Sequence, residues 1–211
     1  MKRAIFFDLD GTLWNALGTI CHAWNEAMKK AGLPYRFDLV KIQSFMGLTP
    51  EETCPLAFPD ADLATGMTYF KLALQEEIAE LAIHPGTLYP EEKATLETLS
   101  KLYPLYIVSN CDKGYIEDYL KACGTSSYFQ GHVCVGDTGL GKADNIVYLK
   151  HKEAIDEVIY VGDTKKDQDE ARKAGVFFIH AAYGFGKIDP EPAKIDRLSD
   201  LPFAIQKHWI D

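Results

Sequence analysis

The chain has 211 residues, enough for one large domain or for a core that carries an inserted module. Hydrophobic residues make up 47% and charged residues 25%, the balance of an ordinary soluble globule. The net charge of −9 excludes the positive footprint that non-specific nucleic-acid binding needs, while a local site can still oppose the global field and hold a phosphorylated ligand.

In chain order, the first β-rich run is RAIFF at 3–7, followed directly by Asp8 and Asp10. Residues 15–82 then read as an all-helical insertion: GTICHAWNEAMKKAG at 18–32, a break around MGLTP, and a helical pattern over PDADLATGMTYFKLALQEEIAELA at 59–82. IHPGT at 83–87 is its expected return linker, punctuated by Pro85 and Gly86. Four more runs follow: LYIVS at 105–109, HVCVG at 132–136, EVIYV at 157–161 and VFFIH at 176–180. Each is apolar nearly throughout, as expected of strands covered on both faces of a parallel sheet. Helical segments such as GYIEDYLKACG and KKDQDEARKAG lie between them and end at Gly124 and Gly175. Strand alternating with helix predicts an α/β fold, a Rossmann-like doubly wound parallel sheet. The core is expected over 1–14 and 83–211, with its tail from about Gly184 through DPEP a surface loop leading to a packing helix in LSDLPFAIQKHW.

The informative polar residues follow the strands. Asp8 and Asp10 close the first, Ser109 and Asn110 the second; Lys142 follows the third, and Asp163 and Asp167 follow the fourth. Ligand sites in open α/β sheets form at the carboxyl ends of the strands. Singly, each residue reads as a turn, a cap or a solvated side chain. Together they bring carboxylates, a lysine and a hydroxyl to one sheet edge. Clustered carboxylates repel unless a cation joins them, and a hard divalent ion such as Mg²⁺ with oxygen ligands is the natural partner. The lysine, hydroxyl and amide suit a bound anion. This set fits phosphoryl transfer, with one carboxylate as nucleophile and a second as general acid and base.

These residues carry a resemblance to the haloacid dehalogenase superfamily of phosphohydrolases. DxDGT is present as Asp8-Leu9-Asp10-Gly11-Thr12, followed in the superfamily's order by Ser109-Asn110, Lys142 and Gly162-Asp163-Thr164-Lys165-Lys166-Asp167. The helical insertion after the first motif resembles a C1-type cap. The resemblance implies that Asp8 forms an aspartyl-phosphate and ligates Mg²⁺. It makes Asp10 the general acid/base, with its backbone carbonyl on the metal, and has Thr12 orient the Asp10 side chain. Ser109 would bind the phosphoryl group with Asn110 in support, and Lys142 would balance charge. Asp163 would ligate Mg²⁺ and Asp167 would hold the metal site directly or through water. The chain is most similar to phosphoglycolate-phosphatase-like enzymes and their β-phosphoglucomutase relatives. FMGLTPEET at 45–53 resembles the loop with which the cap reaches over the site, which makes Met46, Gly47, Leu48 and Thr49 candidate substrate contacts or a simple turn. The chain departs from the pattern at Trp14-Asn15-Ala16, where the group commonly has an acidic and a small hydroxyl residue.

GDTGLGK at 136–142 fits a phosphate loop, but Ala143 stands where that motif needs Ser or Thr. A signalling receiver domain is shorter and lacks a cap. A phosphosugar mutase and a non-catalytic, partner-binding member of the superfamily are the remaining alternatives. The five cysteines, Cys21, Cys54, Cys111, Cys123 and Cys134, form no CxxC pair and fit a reducing cytoplasm. Neither a signal-peptide core nor a run of the roughly 20 apolar residues of a membrane span is found. The expected partner is a small phosphorylated metabolite, with no nucleic acid and no membrane, for a monomer or homodimer.

Overall fold

Ala4, Ile5, Phe6 and Phe7 are all wholly buried, so β1 (Arg3–Phe7) has apolar cover on both faces. The structure is a computed structural model that describes residues 1–190 and 192–209. Glu191, inside the DPEP stretch expected to be a loop, lies outside them. After β1 come β2 (Trp14–Asn15), α1 (Leu17–Lys30), α2 (Leu39–Gln43), α3 (Pro50–Ala57) and α4 (Leu63–Leu81). The chain continues through β3 (Thr87–Leu88), α5 (Glu92–Ser100), β4 (Leu105–Ser109) and α6 (Tyr115–Cys123). It then forms β5 (Gly131–Cys134), α7 (Val135–Thr138), α8 (Lys142–Lys152), β6 (Glu157–Gly162) and α9 (Lys165–Lys173). β7 (Phe177–Ala181), β8 (Lys194–Ile195) and α10 (Leu201–His208) follow.

Two compact units result, Met1–Trp14 with Leu88–Asp211 and Asn15–Thr87. The first is the α/β unit. Its sheet runs β5-β4-β1-β6-β7-β8, and every recorded pairing is parallel. β1 therefore lies between β4 and β6, where the chain order diverges to either side. That divergence opens a crevice beyond the carboxyl ends of the strands. Alternate residues pack opposite faces: Ala4, Phe6, Tyr106, Val108, Val158 and Tyr160 share one apolar cluster. Ile5, Phe7, Ile107, Ile159 and Val161 are buried outside it. The expected doubly wound parallel sheet is thus present.

Three expectations need correction. The third strand ends at Cys134, because Val135 and Gly136 turn into α7 rather than continuing it. A β-carbon on Gly136 would stand 2.1 Å from the Lys113 nitrogen, so only glycine lets the two backbones pass. The tail is not merely loop and helix: Lys194 and Ile195 pair with His180 and Ala181 as a sixth strand. The segment 83–87 belongs with the helical unit. Ile83 and His84 both donate backbone N–H groups to the Glu80 carbonyl, and Thr19 Oγ1 donates to the His84 carbonyl at 2.9 Å.

The helical unit is built around Trp24. α1 buries Leu17, Ile20, Trp24, Ala27 and Met28, the spacing of one helix face. The indole meets Phe37, Phe45 and Phe70 at centroid distances of 5.3, 5.6 and 5.6 Å. Its Nε1 donates to the buried Glu77 carboxylate at 2.6 Å. Met46, Gly47, Leu48 and Thr49 form the turn between α2 and α3 in this unit. Leu48 N donates to the Phe45 carbonyl, and Thr49 caps α3 in a reciprocal pair with Glu52.

Candidate active site

The end of β1 keeps the ladder running, because Asp8 N donates to the Val161 carbonyl at 2.8 Å. Its side chain is thereby presented at the carboxyl edge, together with Ser109 at the end of β4, Asn110 just beyond it and Asp163 beyond β6. All four are buried, as are Lys142 and Asp167. Of the two acids after β6, Asp167 is fixed by local structure. Thr164 and Asp167 cap α9 reciprocally: Asp167 Oδ2 accepts from Thr164 N at 3.0 Å and from Thr164 Oγ1 at 2.6 Å. Lys142 opens α8, whose second residue donates a backbone N–H to Glu170 Oε2 at 3.0 Å.

Lys142 joins the cluster. Its Nζ donates to Asp8 Oδ1 at 2.7 Å and to Asp167 Oδ1 at 2.6 Å. It also lies 5.8 Å from the centroid of the Tyr160 ring, whose hydroxyl donates to the Val108 carbonyl at 2.9 Å. The amine's engagement with two carboxylates disposes of the phosphate-loop reading of 136–142. Carboxylate oxygens of Asp8, Asp163 and Asp167 lie within 4.8 Å of one another.

Burial pushes Asp8 up to about 7; Asp167 adds to the rise and Lys142 opposes it. Burial, reinforced by Asp167 and Asp8, holds Asp163 well above the usual carboxylate range. Burial works against ionised Asp167 too, but Lys142 and the hydrogen bonds from Thr164 together outweigh it and keep that carboxyl low. Burial likewise opposes the charge of Lys142, which Asp167 and Asp8 nonetheless hold protonated. One ammonium thus faces three buried acids. The imbalance, with a donor set made only of hard carboxylate oxygens, fits a divalent cation.

Asp10 stands apart from this cluster. Its Oδ1 accepts from Trp14 Nε1 at 3.0 Å and from the Tyr115 hydroxyl at 2.9 Å. Burial lifts it to about 6, against the hydrogen bonds from Tyr115 and Trp14. The orientation expected from Thr12 is therefore supplied by other residues. Thr12 Oγ1 instead lies 3.5 Å from Asp163 Oδ1.

Sequence reasoning missed several supports. Phe185 N donates to Asp163 Oδ2 at 2.7 Å, from a loop after β7. His180 Nε2 donates to the Asp163 carbonyl at 3.1 Å. Gly11, at φ +81°, leaves room for this arrangement, since a β-carbon there would meet Asp163 Oδ2 at 2.2 Å. A usable signal existed for Tyr160, whose hydroxyl in an otherwise apolar run requires a buried partner. Trp14 was visible only as a departure from the pattern.

The fold and this edge of acids and lysine define a hydrolase class, and the comparisons name it. The profile of the haloacid dehalogenase-like hydrolase family matches residues 5–181, and the chain belongs to that family. It is 27% identical over 211 residues to the phosphoglycolate phosphatase of Vibrio cholerae, covering 94% of this chain and 92% of that enzyme. It is 30% identical over 202 residues to the phosphoglycolate phosphatase of Pasteurella multocida, with 87% of each chain covered. Among solved structures, a haloacid dehalogenase-like family hydrolase from Streptococcus pneumoniae superposes with a TM-score of 0.83 at 28% identity, over 97% of this chain and 99% of that one.

Proposed function

We propose that this chain is a Mg²⁺-dependent phosphomonoesterase that hydrolyses a small phosphorylated metabolite, phosphoglycolate first among candidates, through an aspartyl-phosphate. The observation that carries the reading is the buried Asp8 carboxylate held by Lys142 beside Asp163 and Asp167. The relatives' names support the substrate class.

In this reading an Asp8 oxygen attacks phosphorus and the ester P–O bond breaks. Asp10 gives its proton to the departing oxygen. Water then attacks phosphorus, Asp10 takes a proton from it, the Asp8–phosphorus bond breaks and phosphate leaves. Ser109 and Asn110 bind the transferring oxygens, and Lys142 offsets the charge of Asp8 and the phosphoryl group. Asp8, Asp163 and the Asp10 carbonyl would hold Mg²⁺, with Asp167 in support, and the ion would supply positive charge against the phosphoryl oxygens. Met46, Gly47, Leu48 and Thr49 are proposed substrate contacts.

No described helix is long and apolar enough to cross a membrane. The five cysteines are all free, which supports a reducing cytoplasm. The proposal includes no nucleic-acid or membrane partner and a monomer or homodimer in solution.

The test is phosphate release with Mg²⁺ from phosphoglycolate, hexose phosphates, nucleoside monophosphates and pyrophosphate, with Asp8→Asn as the blank. Release dominated by one small monoester supports the reading. No release from any compound by folded protein overturns it.

A further inference from the structure

We propose that Trp14 and Tyr115 are positioning residues for the acid–base carboxylate, pinning Asp10 through one oxygen so that its proton resides on the other. The inference rests on Asp10 acting as the acid and base of the proposed reaction. Both donors converge on Oδ1, at 3.0 Å from the indole Nε1 and 2.9 Å from the phenol hydroxyl. The indole N–H can only donate. A proton on Oδ1 would therefore face a donor, so the acid form carries it on Oδ2, which takes part in neither bond. The same bonds fix the plane of the carboxyl group and so the direction in which the proton is delivered.

The donors are themselves held. Trp14 and Tyr115 are buried, and their rings meet edge to face at 5.7 Å. Tyr119 packs on the other contact of the indole at 5.2 Å and donates its hydroxyl to Glu92 Oε1 at 2.7 Å. Trp14 is also tied through its backbone: Gly11 N donates to the Trp14 carbonyl at 2.9 Å, closing the turn that directly follows Asp10. Tyr115 arrives from a distant segment as the first residue of α6, just after Gly114 at φ +96°. Two segments far apart in sequence thus deliver neutral donors to one oxygen of one carboxylate. A fixed proton carrier avoids the reorientation that a mobile carboxyl must undergo at each transfer.

A purely structural role would require only that the two buried donors be satisfied. The alternatives separate by leaving-group dependence. Trp14→Phe retains a ring and removes the N–H; Tyr115→Phe removes one oxygen. A phosphate ester with a poor leaving group, such as an alkyl phosphate, needs the acid, whereas p-nitrophenyl phosphate needs it little. The experiment measures kcat/KM with Mg²⁺ over a series of alkyl and aryl phosphates for wild type, each single variant and the double variant. Loss of general acid catalysis is worth roughly 10²–10⁴-fold, and the double variant is expected to lose about 10²-fold on alkyl phosphates but only about threefold on p-nitrophenyl phosphate. The plot of log kcat/KM against leaving-group pKa steepens accordingly. In an Asp10→Asn background the same substitutions are expected to add nothing, because they act through Asp10.

An equal loss on every ester, or the same further loss without the Asp10 acid, overturns the proposal and leaves a structural role. Either single variant suffices for the reading if the double variant fails to fold, as judged by its thermal transition. Failure of the underlying mechanism looks different: the wild-type chain then releases no phosphate, or Asp8→Asn releases it as well.

Discussion

Asp8 and Asp10 close the same strand two residues apart, yet they sit in different chemistry. Asp8 is wholly inside the α/β unit and is answered by a charge, Lys142 at 2.7 Å. Asp10 is half-buried and is answered by two neutral donors, at 3.0 and 2.9 Å. A charged partner favours the ionised form of a buried acid and suits a nucleophile. Neutral donors steady a carboxyl group while leaving it able to gain and lose a proton. Identical residues at the end of one strand are thus told apart by what β6, α8 and α6 bring to each.

The comparison breaks most readily at Asp8. Asp8→Asn removes the nucleophile, and phosphate release is expected to fall by about 10⁴-fold or more for every ester. Chelation of divalent metal is expected to stop turnover and added Mg²⁺ to restore it; metal-independent release would remove the reason for three acids around one lysine. Asp10→Asn is expected to cost about 10²–10⁴-fold on alkyl phosphates and far less on p-nitrophenyl phosphate. Equal losses on both would erase the distinction between the two acids. Lys142→Met leaves Asp8 and Asp167 facing each other in a buried site, and urea unfolding is expected to show a loss of about 3–5 kcal/mol. A loss under about 1 kcal/mol would mean that Lys142 does not hold this cluster together.

The Asp8 side was legible in the sequence because each member follows an apolar strand, and strand ends of a parallel sheet share one edge. RAIFF, LYIVS and EVIYV needed no long-range information to be read as strands. The Asp10 side was not. Tyr115 pairs with Asp10 across 105 positions, and nothing in GYIEDYLKACG says that its first tyrosine faces an acid. The resemblance gives Thr12 to Asp10, but its hydroxyl lies beside Asp163. The sixth strand is two residues long, too short for any periodicity, and exists because β7 offers it an edge. Residues 83–87 read as punctuation because Pro85 and Gly86 lie there; the bonds from Ile83 and His84 to Glu80 are local helix-end bonds, while the one from Thr19 in α1 to the His84 carbonyl is tertiary.

The smallest effect lies behind Asp10, at Glu92, and it sharpens the contrast between charged and neutral support. Glu92 accepts from the Tyr119 hydroxyl at 2.7 Å, and Tyr119 in turn packs on Trp14. Burial raises its carboxyl from 4.5 to about 7, against the hydrogen bonds from Tyr119 and the Tyr89 backbone. The folded chain therefore holds this proton more tightly than the unfolded one. That contribution to stability is complete below pH 4.5 and is lost as pH rises through about 7. Glu92→Gln stays neutral throughout, so from acid to mildly alkaline pH the stability difference is expected to move in favour of the variant by on the order of 3 kcal/mol. Denaturant unfolding across that range reads it directly. A pH-independent difference would mean that Glu92 is ionised in the fold, and that the wall behind Asp10 carries a charge after all.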